Sequence, residues 1–240
     1  MLTVKLTEVI APNFYEVHQE FKQEKFTEYW LKGGRGSTKS TFASVEILLG
    51  LIRDKDANAV ILRRYQNELR DTVFGQFQWT IAKLGLGHVF YSQVSPMQIV
   101  YIPTGQRIVF RGADNPKKLK SINLGKGYIK YAWFEEVDQF ANMGEIRNIL
   151  QSLFRGGDEK RIVIFSYNPP RSSRSWVNQE VKIPKKGRRV HHSTYLEVPS
   201  EWLGKDFLTE AEHLGRVNEI TYRHEYLGEE TGTGLEVFTN

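Results

Sequence analysis

Eight consecutive residues, Gly33-Gly34-Arg35-Gly36-Ser37-Thr38-Lys39-Ser40, have the make-up of a loop that grips phosphate. Glycines let backbone N–H groups converge on anionic oxygens with no side chain in the way. An apolar stretch precedes the loop and a helical pattern follows it, the setting such a loop requires. The helix N-terminus adds the positive end of its dipole. In that arrangement Lys39 reaches the β- and γ-phosphates of a nucleotide and Ser40 ligates Mg²⁺. The usual pattern places glycine directly before the lysine. Thr38 stands there instead, so the local backbone has to tolerate a β-carbon. Arg35 suits either of two tasks, sensing the γ-phosphate or holding a neighbouring carboxylate. A plain Gly/Ser turn is the competing interpretation, and the Lys-Ser pair with its flanking elements argues against it.

Downstream, Tyr131-Ala132-Trp133-Phe134-Glu135-Glu136 is an apolar strand ending in two carboxylates. Paired with a phosphate loop, the first positions the metal and the second activates the attacking water. Glu135 is therefore expected on Mg²⁺ and Glu136 as general base. Alone, the pair would read as an acidic helix start, favourable by dipole. The next strand end, Ser166-Tyr167-Asn168-Pro169-Pro170, offers Ser166 and Asn168 as contacts to the γ-phosphate or the attacking water. Asn-Pro-Pro is equally good turn chemistry.

The elements that must carry these residues are visible as alternating strand and helix patterns. Strands are expected at Phe26–Leu31, Ala59–Leu62, Tyr128–Phe134, Arg161–Tyr167 and Arg189–Tyr195. Helical patterns cover Ser40–Ile52, with Phe42, Val45, Leu48, Leu49 and Ile52 on one face, and also Gln66–Leu84, Val137–Phe154 and Asp206–Tyr226. Ile99–Ile102 and Arg107–Phe110 flank a turn and read as a hairpin. Long crossovers between strands imply a mainly parallel central sheet with helices on both faces, which binds ligands at the carboxyl ends of its strands.

With 240 residues and 40 % apolar composition, the chain can build one large α/β core. No apolar run approaches a membrane span, and no secretory segment opens the chain. Cysteine is absent, which excludes disulfides and thiolate metal sites. The net charge of +5 and pI of about 9.2 permit a polyanionic partner without demanding one.

Arg35, Arg63, Arg64, Arg70 and Arg111 are all available to neutralise a phosphoryl transition state. Arg111 is favoured among them, because it ends a strand and opens a Gly-containing loop. Lys182, Lys185, Lys186, Arg188 and Arg189 form a basic loop suited to a nucleic-acid backbone, or simply to solvent. Lys117, Lys118, Lys120 and Lys126 make a second such patch. His191 and His192 fall on opposite faces of a strand and do not share a metal. Phe14 and Tyr15 are positioned to stack on a nucleobase.

The ordered set of motifs resembles the large subunits of phage terminases across nearly the whole chain. The matching segments include Gly33–Ser40, Leu62-Arg63-Arg64, Phe110–Asp114, Trp133–Glu136, Asn168-Pro169-Pro170, His192–Leu196 and Tyr222–Glu229. The resemblance implies an additional-strand P-loop NTPase in which ATP and Mg²⁺ are bound and hydrolysis drives double-stranded DNA into a procapsid. It further implies a homo-oligomeric ring docked on a portal protein, a small terminase subunit as partner, no membrane association and a host-cytoplasmic setting. Residues 1–228 are then the ATPase domain, and 229–240 begin a linker toward a nuclease domain lying beyond this sequence, so no nuclease activity is expected. A helicase-like translocase and a nucleotide-binding module with little turnover are the alternatives on the residues alone.

Overall fold

Eight strands form one sheet in the order β3-β4-β5-β2-β6-β7-β1-β8. The structure is a computed structural model, and it describes residues 5–114, 119, 122, 124–154, 159–232. The strands are β1 (Glu28–Gly33), β2 (Ala57–Arg63), β3 (Phe90–Gln93), β4 (Gln98–Tyr101), β5 (Gln106–Gly112), β6 (Tyr128–Glu135), β7 (Ile162–Tyr167) and β8 (Arg188–Ser193). All neighbours from β5 to β8 run parallel, and β3 and β4 add an antiparallel edge. The hairpin is thus found where its turn placed it. β3 was not apparent from its sequence, since Phe90-Tyr91-Ser92-Gln93 has no clear alternation.

Strands buried on both faces need near-continuous apolar sequence, and β2 and β6 supply it. Alternate residues serve opposite cores: Ala59, Ile61, Tyr131 and Trp133 enter one, and Val60, Leu62, Ala132 and Phe134 the other. On the first face lie α1 (Tyr15–Lys22), α2 (Lys39–Arg53) and α3 (Gly75–Lys83); on the second lie α4 (Met143–Leu153) and the short α5 (Trp176–Glu180). The expected inner face of α2 is partly corrected. Phe42, Val45 and Leu48 are buried, but Ile52 is exposed, and Ala43, Ile47 and Leu51 are buried instead. The helix is enclosed on two sides, so its apolar surface is wider than one stripe. Burying each such large side chain stabilises the fold by about 1.5–3 kcal/mol.

The helical stretch from Gln66 to Leu84 opens with 3₁₀ and π turns before α3. The one from Val137 to Phe154 is a 3₁₀ turn at Val137–Gln139 followed by α4, capped by the Asn142 side chain accepting from the Glu145 N–H. β8 stops at Ser193, because Thr194 and Glu197 form a capping box that starts a 3₁₀ turn at Tyr195. The tail is two helices, α6 (Lys205–Val217) and α7 (Glu219–Glu225), broken at Asn218, whose side chain caps the second. Ordered contact with the body continues past residue 228. Lys182 pairs with Glu230, and the Gly232 N–H donates to the Arg171 carbonyl. Lys117, Lys118, Lys120 and Gly234–Asn240 lie outside the described residues. Among the described residues, no helix is long and apolar enough to cross a membrane.

Candidate nucleotide site

The carboxyl ends of β1, β6 and β7 meet at a cleft of about 670 Å³. β7 lies between β1 and β6, with Glu135 in register with Ser166 and Lys32 with Tyr167. This insertion brings Asn168 between the phosphate loop and the acidic pair. The loop turns straight from β1 into α2, so Lys39 is the first residue of that helix.

Lys39 is buried. Its Nζ donates to the carbonyls of Gly33 and Gly34 at 2.9 Å, to Ser37 Oγ at 2.9 Å and to Asn168 Oδ1 at 3.0 Å. Burial lowers its pKa to about 7, opposed by the nearby Glu135. An anionic ligand would restore the full charge. Ser40 Oγ donates to Glu135 Oε1 at 3.2 Å. Glu135 Oε2 is buried and takes no hydrogen bond. Burial raises the Glu135 pKa to about 7, against the pull of Arg63.

Thr38 answers the question its position raises. Its φ of 60° and ψ of 18° are left-handed, the conformation that glycine occupies freely and a β-branched residue rarely does. Its hydroxyl is buried without a partner. Glu136 is also left-handed, at φ 49°. Gly33, Gly34, Gly36, Ser37 and Arg35 complete the loop. A β-carbon at Gly34 would meet the Tyr226 carbonyl at 2.0 Å, and one at Gly36 the Phe207 ring at 2.6 Å. The tail helices thus pack against the loop, and the Arg35 N–H donates to the Glu225 carbonyl. The Arg35 side chain pairs with Glu225 at 3.3 Å, the second of its two expected tasks.

Of the two strand-end polar residues, Asn168 faces the cleft lysine, whereas Ser166 Oγ accepts from Trp133 Nε1 at 2.8 Å. Arg111 does not join the cleft. It is in register with Leu62, one residue before Arg63, and points to the opposite sheet face, where its Nη1 donates to the Phe110 carbonyl. Arg63 does reach the acidic pair, contacting Glu135 and Glu136. Asp138, its pKa raised to about 6 by burial, and Gln139 also line the cleft. Asp138 sits two residues past the acidic pair, a spacing the sequence displayed without explaining.

Phe14 is no nucleobase platform, because it is fully buried and stacks on Phe42 at 4.5 Å. His191 packs against Phe14, while His192 Nε2 bonds the Leu227 carbonyl on the other side. The basic loop is largely neutralised. Lys185 and Arg188 pair with Glu28, Arg189 with Glu16 and Glu20, and Lys182 with Glu230.

A glycine loop between a strand and a helix, an acidic strand end and a strand inserted between them define a P-loop NTPase fold of the additional-strand type. The model of the phage terminase large subunit family matches residues 25–229, and the chain belongs to that family. It is 39 % identical over 246 residues to the terminase large subunit of Bacillus phage SPP1, covering 100 % of this chain and 57 % of that protein. The chain therefore spans little more than half of that relative's length. Among solved structures, the large terminase of a thermophilic bacteriophage superposes with a TM-score of 0.71 at 13 % identity, covering 91 % of this chain and 53 % of that one. The ATPase domain of the Thermus phage P74-26 large terminase gives 0.58 at 15 % identity, covering 89 % and 92 %.

Proposed function

We propose that this chain is the ATP-hydrolysing motor of a DNA-packaging machine. The observation that carries the reading is the convergence of Lys39, Ser40, Glu135, Glu136 and Asn168 on one cleft from three parallel strands. Lys39, now bonded to its own loop, would turn to the β- and γ-phosphates, with the Gly33–Ser40 amides closing around them. Asn168, already on Lys39, would follow to the γ-phosphate. Glu136 would take the proton of the attacking water. The adjacent oxygens of Ser40 and Glu135 fit a hard divalent cation, with Glu135 Oε2 buried, free of hydrogen bonds and 3.5 Å from Arg63 Nη1. Mg²⁺ held there would neutralise charge on the phosphates. Arg35 would exchange Glu225 for phosphate in the same step.

Family membership extends the proposal to partners. These are double-stranded DNA, a portal protein, a small terminase subunit and further copies in a ring, acting in the host cytoplasm. The SPP1 relative is named a terminase large subunit, and a solved large terminase of similar fold is described in complex with ATP-γ-S.

Steady-state ATP hydrolysis with Mg²⁺, measured for the wild type, Lys39→Ala and Glu136→Gln over a range of protein concentrations, tests the reading. Lys39-dependent turnover, with Glu136→Gln binding nucleotide but hydrolysing it only at a small residual rate, is the expected result. Normal turnover in Glu136→Gln would remove the base assignment. Loss of turnover at every concentration in the wild type would remove the ATPase reading for this chain.

A further inference from the structure

Arg63 ends β2 and is 4 % exposed, yet its guanidinium lies among three carboxylates. Nη2 contacts Glu136 Oε2 and lies 3.2 Å from Glu68 Oε2, while Nη1 lies 3.5 Å from Glu135 Oε2. Gln139 Nε2 donates to the same Glu136 oxygen at 2.6 Å. Both bonds to Glu136 therefore fall on Oε2. Among the described residues, Oε1 takes none.

We infer that Arg63 is a positioning residue that anchors Glu136 by one oxygen and leaves the other free to accept a proton. The inference rests on the proposed role of Glu136 as base. The backbone makes such an anchor necessary. Glu136 is left-handed and lies just past the end of β6, outside the hydrogen-bonded ladder, so no regular structure fixes its side chain. Its side chain is 45 % exposed and would otherwise sample several rotamers. A base misplaced by about 1 Å can lose about a hundredfold in rate. The contact to Glu135 also fixes the spacing between the proposed metal-side carboxylate and the base. A guanidinium suits this task because its planar fork addresses several oxygens while keeping its charge.

A merely structural Arg63, present to offset buried acid, would alter folding and nucleotide binding rather than the rate. The test is therefore a kcat-against-KM split in Arg63→Gln and Arg63→Lys, each alone and with Glu136→Gln. With Glu136 intact, Arg63→Gln is expected to lower kcat about a hundredfold, the scale of general-base catalysis, with KM within about threefold. Arg63→Lys should recover part of that loss. In the Glu136→Gln background, adding Arg63→Gln should change the residual rate less than about twofold, because residues acting as one unit are not additive. Equal losses in both backgrounds, or an unchanged kcat in Arg63→Gln, would overturn the inference.

Crystal structures of the wild type and Arg63→Lys give an answer that needs no turnover. Displacement of the Glu136 carboxylate supports the anchor, and an unmoved carboxylate rejects it. If the wild type itself shows no Lys39-dependent hydrolysis, the ATPase proposal fails while this structural comparison still decides the role of Arg63.

Discussion

Lys39 Nζ donates to Asn168 Oδ1 at 3.0 Å, joining the phosphate loop to the strand end beyond β7. The bond links the residue proposed to hold the phosphates with the one proposed to follow it to the γ-phosphate. Asn168→Ala is expected to lower ATP turnover by about a hundred- to a thousandfold, the range for removing one preorganised polar contact. Nucleotide affinity should change far less. Parallel measurements of kcat and of fluorescent-nucleotide binding check this, and a purely binding defect would contradict it.

Thr38 holds a left-handed backbone that costs a non-glycine residue about 1–3 kcal/mol. Thr38→Gly should therefore raise the melting temperature, by about 2–4 °C for each kcal/mol of strain relieved in a domain of this size. Differential scanning calorimetry decides the point, and a lower melting temperature would mean that the threonine methyl contributes more than the strain costs.

His191 gives stability a pH dependence. Burial, followed by the charge of Arg189, lowers its pKa from about 6.5 to about 4. Between those values the unfolded chain binds a proton that the native chain does not, so this contribution falls as pH drops from about 6.5 to about 4. It is complete above that window. The slope is at most about 1.4 kcal/mol per pH unit. Urea unfolding of the wild type and His191→Gln at several pH values should show a shallower slope in the variant, and equal slopes would refute the assignment.

Glu28 is buried between Trp30, Lys185 and Arg188, whose bonds hold its pKa low despite the opposing effect of burial. Removing one partner of a buried pair leaves the others uncompensated, so Glu28→Ala should cost about 3 kcal/mol of stability. Lys186→Ala should cost almost nothing. If the 182–189 loop instead serves DNA, Lys185→Ala would lower DNA affinity with little effect on unfolding.

The phosphate loop and the acidic strand end were legible because their chemistry is local: glycines, a lysine and a hydroxyl in one run, then carboxylates closing an apolar strand. Phase along a strand was legible for His191 and His192, whereas Arg63 and Arg111 lie on different strands whose relative phase no single run of sequence displays. Their neighbouring strands set Arg111 beside Leu62, and one residue of register sends the two guanidinium groups to opposite faces. The burial of Phe14 depends on α2 folding back over it, which no local pattern records. The pairing of the basic loop depends on Glu16, Glu20 and Glu28, far away in sequence and adjacent only once β8 lies beside β1.

The glycines of the phosphate loop face two clients at once. Gly34 abuts the Tyr226 carbonyl and Gly33 lies against Gly228, itself left-handed at φ 67°. A chimaera that joins the loop of one relative to the tail of another would bring together two surfaces fitted without side chains between them. The two segments, nearly two hundred residues apart, must be exchanged as a single part, and any crossover placed between them sets a loop against a tail it was not shaped for.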